Sequence, residues 1–577
     1  MTPLDFRNTN TLWCSVLVET LVRGGITHAV VSPGSRSTPL TMALVRHPAI
    51  EAVPVLDERS AAFFALGLAK HSLRPVVLVC TSGSAGAHYL PALIEAQESA
   101  IPLIVITADR PPELRDCASG QTIDQQKLFG GFVGFYHELA VPEANLGLLR
   151  YLRQTLVHAV ERAQAGCPVH LNAPFRDPLA PIEDASVKGL VEAQDWDRFF
   201  ELPSLEMAQA TWGNSLALPV PPAQRVVVIA GNDWAHDHIV RWAAARGWPV
   251  LADVLSPARL RHGCGTGVVV AAYDAILRDP RAVQALQPDV FFVLGEIPTS
   301  KSLRTWLGAV DAQVVQITQK AGNRDGVHGR TLTMRLPPTV LDSVAADWPV
   351  APAEWAERWA RAETAAQAVL VRCSEVSGFE GAFTRTLAES LTREQVLCVA
   401  SSMPVRDLEY FAPVRTDGPR VLANRGANGI DGTLSTALGV AHGGSPTVLL
   451  TGDLALLHDT NGFLVAAKLR GSLTVVLINN QGGGIFGHLP VARFNPPFEE
   501  FWATPQTVDF ARLCAAYGVA HHGVKTPGEL RGLLLTEVGK PGLRVIEVRT
   551  DRTQDVATRQ RLLKEAAQAA GDSLDAG

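Results

Sequence analysis

Two predicted strands end in residues that carry hard oxygen ligands. The apolar run from Thr447 to Leu450 ends just before Asp453, and a second apolar run from Leu473 to Ile478 ends before Asn480. The apolar residues between Phe463 and Leu469 have helical spacing. The segment 447–480 therefore predicts a strand, a crossover helix and a parallel strand. Because a right-handed crossover brings both strand ends to one sheet edge, Asp453 and Asn480 are expected to lie side by side.

The glycines that follow Asn480 allow a backbone carbonyl, which we assign to Gly482, to turn toward the same point. Carboxylate, amide and carbonyl oxygens suit Mg²⁺, which takes its remaining ligands from phosphate and water. The pattern therefore predicts a diphosphate held by Mg²⁺, or by Mn²⁺ in its place, through Asp453, Asn480 and Gly482. A strand end followed by an ordinary turn explains Gly-Asp alone well, but it explains the combined spacing poorly.

The order of Gly-Asp, some two dozen residues and then Asn-Asn resembles the diphosphate-binding motif of thiamine diphosphate-dependent enzymes. This resemblance implies further cofactor contacts at Gly452, Leu454, Gly483 and Ile485. It also implies that Ile430 lies beneath the cofactor and keeps its two rings bent, and that Phe486 packs on the pyrimidine. Ordinary core packing is the alternative for Ile430 and Phe486.

Glu58 follows the predicted strand Val53 to Leu56 and is therefore expected at the sheet edge where ligands bind. From the local sequence alone, a surface or helix-capping glutamate is an equal alternative. The resemblance implies that Glu58 binds N1′ of the aminopyrimidine and favours the imino tautomer. The 4′-nitrogen of that tautomer removes the C2 proton of the thiazolium, and the protein orients this chemistry.

Strands and helices alternate through most of the chain, which predicts mostly parallel sheets in an α/β protein. The runs 28–31, 76–80 and 290–294 are typical strands. The order of elements near the N-terminus recurs some 370 residues later, so the two outer domains are expected to be similar. We predict three Rossmann-like doubly wound domains of the thiamine diphosphate-enzyme type, and the middle one lacks a GxGxxG dinucleotide fingerprint.

The predicted boundaries follow the changes in pattern and the proline-rich stretches. They are an N-terminal pyrimidine-binding domain at 1–182, a linker at 183–224, a central Rossmann-like domain at 225–345, a second linker at 346–368 and a C-terminal diphosphate-binding domain at 369–577.

Composition excludes several classes of protein. The 577 residues are 47% hydrophobic and 19% charged, and the net charge of -6 provides no basic surface for nucleic acid. No run is long and apolar enough to span a membrane, and the N-terminus has no signal-peptide core. The scattered cysteines predict small core residues in a reducing, cytoplasmic environment.

Five segments recur together in one family of thiamine diphosphate-dependent enzymes: 32–40 SPGSRSTPL, 57–59 DER, 107–114 TADRPPEL, 424–432 NRGANGIDG and 479–486 NNQGGGIF. Through them the chain resembles the 2-succinyl-5-enolpyruvyl-6-hydroxy-3-cyclohexene-1-carboxylate synthase (MenD) family along nearly its whole length. The resemblance implies decarboxylation of 2-oxoglutarate and 1,4-addition of the resulting succinic-semialdehyde carbanion to isochorismate, in menaquinone biosynthesis.

Both substrates are acidic, and arginine offers a bidentate fork for a carboxylate. By motif, the resemblance implies substrate contacts or catalytic roles for Ser35, Arg36, Arg110, Gln121, Lys301, Ser402, Arg406 and Arg425. For any single arginine, a structural salt bridge is the commoner role. Some relatives follow the lysine with arginine, whereas this chain has Ser302, which puts the role of Lys301 in question.

Two other functions stay open at the level of sequence. One is another thiamine diphosphate enzyme, such as an acetolactate synthase or a flavin-carrying pyruvate oxidase. The other is a non-catalytic nucleotide-binding or scaffold protein, against which the retained Glu58, Asp453 and Asn480 argue. The family implies a homodimer or homotetramer whose sites combine residues of two chains.

Overall fold

The structure is a computed structural model that describes residues 4–191, 195–201, 218–232, 238–260, 268–320, 322–329 and 331–575. Its contacts divide the chain into two compact units. The first unit comprises Met1–Met207, Asn424–Ser445 and Ala455–Leu473, and the second comprises Ala208–Ala423, Pro446–Leu454 and Thr474–Gly577.

The N-terminal sheet is entirely parallel, with strand order β2-β1-β3-β4-β6-β5. Its strands are β1 (His28–Val31), β2 (Glu51–Pro54), β3 (Val76–Cys80), β4 (Leu103–Asp109), β5 (Phe135–Glu138) and β6 (Val169–Pro174). Its helices are α1 (Thr9–Arg23), α2 (Thr38–Arg46), α3 (Glu58–Ser72), α4 (Leu90–Ser99) and α5 (Leu146–Gln164). Every residue of β3 and β4 is buried, as expected for central parallel strands covered on both faces.

The short helices α6 (Lys188–Val191) and α7 (Trp196–Phe199) lie in the predicted linker 183–224, most of the rest of which is outside the described residues. The middle sheet is also parallel, in the order β12-β11-β10-β7-β8-β9. Its strands are β7 (Val226–Ala230), β8 (Val250–Ala252), β9 (Val269–Val270), β10 (Val290–Leu294), β11 (Gln313–Thr318) and β12 (Thr331–Arg335). The helices are α8 (Ile239–Ala244), α9 (Pro257–Leu260), α10 (Tyr273–Ile276), α11 (Pro280–Ala285), α12 (Lys301–Ala309) and α13 (Ala353–Leu370). This sheet has the 3-2-1-4-5-6 order of a Rossmann fold.

The C-terminal sheet has the order β14-β13-β15-β16-β18-β17. Its strands are β13 (Val396–Val399), β14 (Arg420–Ala423), β15 (Thr447–Gly452), β16 (Ser472–Asn479), β17 (Ala520–Val524) and β18 (Gly542–Arg549). The helices are α14 (Glu380–Ser390), α15 (Met403–Phe411), α16 (Thr433–His442), α17 (Asp453–His458), α18 (Phe510–Ala516), α19 (Pro527–Glu537) and α20 (Arg552–Asp575). Counted from its own first strand, this order is identical to that of the N-terminal sheet, so the predicted similarity of the two outer domains is confirmed.

Two local predictions differ from the structure. The predicted crossover helix around 463–469 is instead the short α17 followed by a 3₁₀ helix, Thr460–Lys468. Between them, the buried carboxylate of Asp459 accepts hydrogen bonds from the backbone N–H and hydroxyl of Ser435, which fixes the turn. The second predicted linker, 346–368, is largely helix α13, because Trp355 and Trp359 face the middle core and are almost fully buried.

The boundaries of the domains and linkers remain predictions. The core of the middle sheet includes Leu562, Leu563 and Ala566 of the C-terminal helix α20, so this helix packs on a sheet that precedes its own domain. Among the described residues, no helix combines the length and the apolar character needed to cross a membrane.

Candidate active site

Asp453 lies where β15 ends and α17 begins, and only 3% of its surface is exposed. Its Oδ2 accepts a hydrogen bond from the backbone N–H of Gly482 at 2.8 Å, and its Oδ1 accepts one from Leu454 at 2.9 Å. Burial raises the pKa of Asp453 to about 6 despite these donors. The carboxylate therefore connects the ends of two neighbouring strands, β15 and β16, as the spacing predicts.

The side chain of Asn480 fits a metal ligand. Its Nδ2 donates to Glu380 Oε2 at 3.3 Å, whereas its buried Oδ1 has no hydrogen-bond partner among the described residues. A buried amide oxygen without a partner is costly unless a cation or water satisfies it. In the described ranges, no cluster of three or more His, Cys, Asp or Glu could hold a metal, so a site here would use one carboxylate, one amide and a backbone carbonyl.

The glycine turn after Asn480 is fixed by its backbone. Gly482 has φ +135°, and the carbonyl of Ala503 occupies the space that a side chain would need. The ring of Phe486 lies against Gly483 and leaves no room for a Cβ there. At Gly452, by contrast, an added Cβ would meet open space. Only glycine fits the position at 482, which keeps the backbone of this turn beside Asp453.

A cavity of about 400 Å³ in the second unit is lined by three of the predicted residues of that unit. Lys301 at the start of α12, Arg406 on α15, and Ile485 all line it. Arg406 donates to the carbonyl of Ser402 at 2.6 Å, and Ser402 has φ +72°, an uncommon conformation for a residue with a side chain.

The same cavity contains residues that sequence reasoning missed. Arg278 lines it, pairs with Asp274 at 2.6 Å and lies over the ring of Tyr410. Asp274 also accepts a hydrogen bond from Ser300, the N-cap of α12, so it positions Arg278 and the start of the Lys301 helix together. No motif marks Arg278, and only the fold brings it to the cavity that Arg406 also lines.

In the first unit, Arg36 and Arg110 form one group at the ends of the N-terminal strands. Arg110 donates to the Ser82 hydroxyl and to the carbonyl of Gln121 at 2.9 Å, and Gln121 Nε2 donates to the carbonyl of Ser82 at 3.0 Å. Burial lowers the pKa of Arg110, and the charge of Arg36 adds to this effect. Ser82 is a further residue of this group that sequence reasoning missed.

Arg36 is held by the backbone at the end of β6. Its NH1 donates to the carbonyl of Phe175 at 2.9 Å, and its buried Nε has no partner among the described residues. Ser35, beside it at the tip of the turn, is exposed. A buried donor without a partner beside a second guanidinium is suited to an anion.

Glu58 is the first residue of α3, and Asp57 caps that helix by accepting from the N–H groups of Arg59 and Ser60. The side chain of Glu58 is half-buried. Its charge adds to the effect of burial in raising the pKa of Cys80 and of Tyr89, so the carboxylate lies near both. Glu58 therefore lies at the turn between β2, which ends at Pro54, and α3, which begins at Glu58 itself.

The loop that carries Arg425 and Ile430 is held by a buried carboxylate of α4. Glu95 accepts hydrogen bonds from the backbone N–H groups of Gly426 at 3.1 Å and Ala427 at 2.7 Å. Lys70 pairs with Glu95 at 3.2 Å and donates to Asn424 at 2.9 Å. Both Arg425 and Ile430 are half-buried on the loop that these bonds fix.

The structure thus brings the predicted residues together in groups. Glu58, the Arg36–Arg110 group and the 425–430 loop belong to the first unit, and the Asp453–Asn480–Gly482 turn and the Lys301–Arg406 cavity belong to the second. The roles of these residues remain predictions.

Comparison with known proteins agrees with this architecture. Residues 14–128 match the N-terminal thiamine pyrophosphate-binding domain of the thiamine pyrophosphate enzymes, 214–399 match their middle domain, and 408–548 match their C-terminal thiamine pyrophosphate-binding domain. Benzoylformate decarboxylase from Polynucleobacter necessarius has a similar fold, with a TM-score of 0.66 at 17% identity over 94% of this chain and 98% of that one.

Relatives of higher identity share one name. The chain is 47% identical to the 2-succinyl-5-enolpyruvyl-6-hydroxy-3-cyclohexene-1-carboxylate synthase of Synechococcus elongatus over 98% of this chain and 97% of that protein. It is 46% identical to the synthase of that name from Gloeothece citriformis over 96% and 97% of the two chains. The chain therefore belongs to the 2-succinyl-5-enolpyruvyl-6-hydroxy-3-cyclohexene-1-carboxylate synthase family of thiamine pyrophosphate enzymes.

Proposed function

We propose that the protein decarboxylates 2-oxoglutarate and adds the remaining succinyl-semialdehyde unit in a 1,4 manner to isochorismate. The product is 2-succinyl-5-enolpyruvyl-6-hydroxy-3-cyclohexene-1-carboxylate, in menaquinone biosynthesis. The observation that carries the proposal is the 47% identity to a synthase of that name over 98% of this chain.

The residues present fit thiamine diphosphate with Mg²⁺, or with Mn²⁺ in its place. Asp453, Asn480 and Gly482 would hold the metal, because they offer a carboxylate, an amide oxygen without a partner and a backbone carbonyl. Glu58 would hold a proton at N1′ of the pyrimidine. When bound, the cofactor supplies the nucleophilic carbon for decarboxylation of a 2-oxo acid.

Fixed cations in both units suit two acidic substrates. The Arg36–Arg110 group offers guanidinium donors in the first unit, and Lys301, Arg406 and Arg278 surround a cavity in the second. Partly buried guanidinium groups bind carboxylates more strongly than exposed ones, since little water competes. We assign substrate carboxylates to these two groups, with Ser35, Gln121, Ser402 and Arg425 as neighbouring contacts.

We also propose a homodimer or homotetramer in which Glu58 and Asp453 of one site come from different chains. Their location in different compact units is compatible with such an arrangement. A cytoplasmic location remains a prediction.

The test is an assay of the purified protein with thiamine diphosphate, Mg²⁺, isochorismate and either 2-oxoglutarate or pyruvate. We expect CO₂ release and loss of the isochorismate chromophore with 2-oxoglutarate, and little of either with pyruvate. Preference for pyruvate would overturn the proposal in favour of an acetolactate-type reaction.

A further inference from the structure

A buried ionic cluster lies behind the Asn480 end of the metal site. Arg559 of α20 has only 1% of its surface exposed, and its guanidinium contacts Glu380 of α14 and Asp407 of α15. It also donates to Nε2 of His488 at 2.9 Å. Burial and then the charge of Arg559 lower the pKa of His488 to about 4, so the ring is neutral at neutral pH and its Nε2 accepts this bond. One guanidinium thus joins three segments of the chain.

Within this cluster, the carboxylate of Glu380 faces two partners. One oxygen, Oε1, accepts from Arg559, and the other, Oε2, accepts from Nδ2 of Asn480 at 3.3 Å. The backbone N–H of Glu380 donates to Asp555 at 3.0 Å. Glu380 is therefore fixed at both its backbone and its side chain, with 3% of its surface exposed.

A carboxylate can only accept hydrogen bonds, so it discriminates between the two ends of an amide. Next to Glu380, Asn480 must present its NH₂ group, which turns Oδ1 to the opposite side. That oxygen is the buried atom without a partner among the described residues. Without the carboxylate, the amide could rotate and present N–H donors where a cation needs an oxygen.

We propose that Glu380, held by Arg559, is a positioning residue that orients the Asn480 amide so that Oδ1 faces the metal. This inference rests on the Mg²⁺ site proposed above. Hydrogen-bonded partners behind metal ligands typically change metal affinity about 10- to 100-fold when they are replaced. Because Arg559 also joins Asp407, the neighbour of Arg406, the cluster connects the metal end with the cavity helix α15.

The first test is Glu380→Gln, measured by calorimetric titration of Mg²⁺ at a fixed thiamine diphosphate concentration. A glutamine can present its oxygen to Arg559 or to Asn480 but not to both, so we expect Mg²⁺ affinity to fall about 10- to 100-fold. Glu380→Asp keeps the charge beside Arg559 but is one methylene shorter, and it should weaken Mg²⁺ binding even if the glutamine variant folds poorly. Glu354→Gln on α13, whose side chain is 67% exposed, is the matched control and should bind as wild type does.

The decisive variant is the exchange Glu380→Gln/Asn480→Asp, which keeps the net charge and reverses the direction of the hydrogen bond. The new glutamine can donate to the new aspartate, whose second oxygen is then available to the metal. We expect this double variant to recover most of the lost Mg²⁺ affinity. In the absence of thiamine diphosphate, its unfolding midpoint should be close to that of Glu380→Gln. A purely structural role for Glu380 predicts that Asn480→Asp alone gains as much Mg²⁺ affinity as the double variant, because the new carboxylate attracts the metal in both. Our proposal predicts a smaller gain in Asn480→Asp alone, because Glu380 and the new carboxylate repel each other.

Two results would overturn the inference. Mg²⁺ affinity within twofold of wild type in Glu380→Gln, with Asp453→Ala unable to bind Mg²⁺, would leave the metal site intact and remove the role of Glu380. Unchanged Mg²⁺ binding in Asp453→Ala would show that the metal site itself is misplaced, and the inference would fall with it.

Discussion

Arg36 and Arg110 carry like charges, and the charge of Arg36 adds to the effect of burial in lowering the pKa of Arg110. Arg36 contacts Asp177 at 3.5 Å, and the side chain of Asp177 is 77% exposed. Two partly buried guanidinium groups of like charge are suited to binding an anion. This pair is one of the groups to which we assign a substrate carboxylate.

The four predicted pocket arginines should therefore affect substrate steps and not cofactor binding. We expect alanine at Arg36, Arg110, Arg406 or Arg425 to cost about 2–5 kcal/mol in the affected step, since a desolvated carboxylate loses its partner. A loss of 2 kcal/mol corresponds to roughly thirtyfold in kcat/KM. Single-turnover decarboxylation and full-reaction assays, beside C2–H exchange of the cofactor by NMR, check this.

Residues that serve only isochorismate should spare the decarboxylation of 2-oxoglutarate, whereas residues that serve the oxo acid should not. Arg512→Ala is a suitable control, because its side chain is 90% exposed. Four variants that turn over both substrates like wild type would contradict the assignment of these arginines.

Asp453 should be essential for the metal and dispensable for the fold. We expect Asp453→Ala to abolish Mg²⁺-dependent binding of thiamine diphosphate while the cofactor-free protein still folds, because removal of a desolvated carboxylate offsets the loss of its two backbone hydrogen bonds. Calorimetry with Asp342→Ala as the control, at a position with an 80% exposed side chain, measures this. Unchanged cofactor affinity in Asp453→Ala would rule out the metal assignment.

Residues attached to strand ends could be placed from the sequence, because parallel strands bring their carboxyl ends together. Asp453, Asn480 and Gly482 belong to this class, and the structure brings Asp453 into contact with Gly482, just beyond the end of β16. Arg278, Ser82 and Glu380 could not be found in this way. Their place in the site depends on packing between helices and loops that are distant in the chain, for which local patterns give no signal.

At the scale of elements, the loop 424–432 depends on the buried pair Lys70–Glu95. In Glu95→Gln the new NH₂ group would face backbone donors, and the ammonium of Lys70 would lose its charged partner. We expect a loss of about 3–5 kcal/mol in the free energy of unfolding at neutral pH. The loss of order at Arg425 and Ile430 should lower kcat/KM as well. Thermal unfolding of wild type and Glu95→Gln measures the first effect.

The effect of Glu95 should depend on pH in one direction. Burial raises the pKa of Glu95, but the charge of Lys70 and the backbone donors outweigh it and hold the pKa below the usual 4.5. Because the pKa of Glu95 is lower in the folded than in the unfolded chain, its ionised form stabilises the fold at pH values above the unfolded pKa. This contribution is lost as the pH falls below about 4.5 and through the folded pKa. The difference in midpoint between wild type and Glu95→Gln should therefore narrow at low pH. A difference that widens on acidification would contradict this account of the pair.

The bounds of elements that are short, continuous apolar runs could be predicted closely. The strands β1, β3 and β10 have the predicted bounds, because each is a short apolar run between polar turns. The segment after Asp453 could not be predicted in detail, because a tertiary contact between Asp459 and Ser435 divides it. The prolines before helix α13 favour a linker, so the helix is not predicted from the sequence. The four-residue spacing of Trp355 and Trp359 does match one buried helix face.

At the scale of the whole molecule, the two outer sheets have the same strand order. Glu58 follows a strand of the first, and Asp453 follows a strand of the second. If the halves of one site come from different chains, two inactive variants should complement each other. We expect Glu58→Gln and Asp453→Ala, mixed after dissociation, to regain part of the wild-type activity, because each mixed dimer contains one site with neither substitution. No recovery in verified mixed dimers would mean that both residues serve a site within one chain.

The central claim is that 2-oxoglutarate loses the carboxyl carbon next to its oxo group, while its other four carbons join isochorismate. The most direct measurement is the ratio of labelled CO₂ released to isochorismate consumed, with 2-oxoglutarate labelled at the carboxyl carbon next to its oxo group. The product mass is determined in the same reaction. The account predicts one CO₂ for each isochorismate and a product mass equal to isochorismate plus the succinyl-semialdehyde unit. Release of CO₂ while isochorismate remains intact would contradict it.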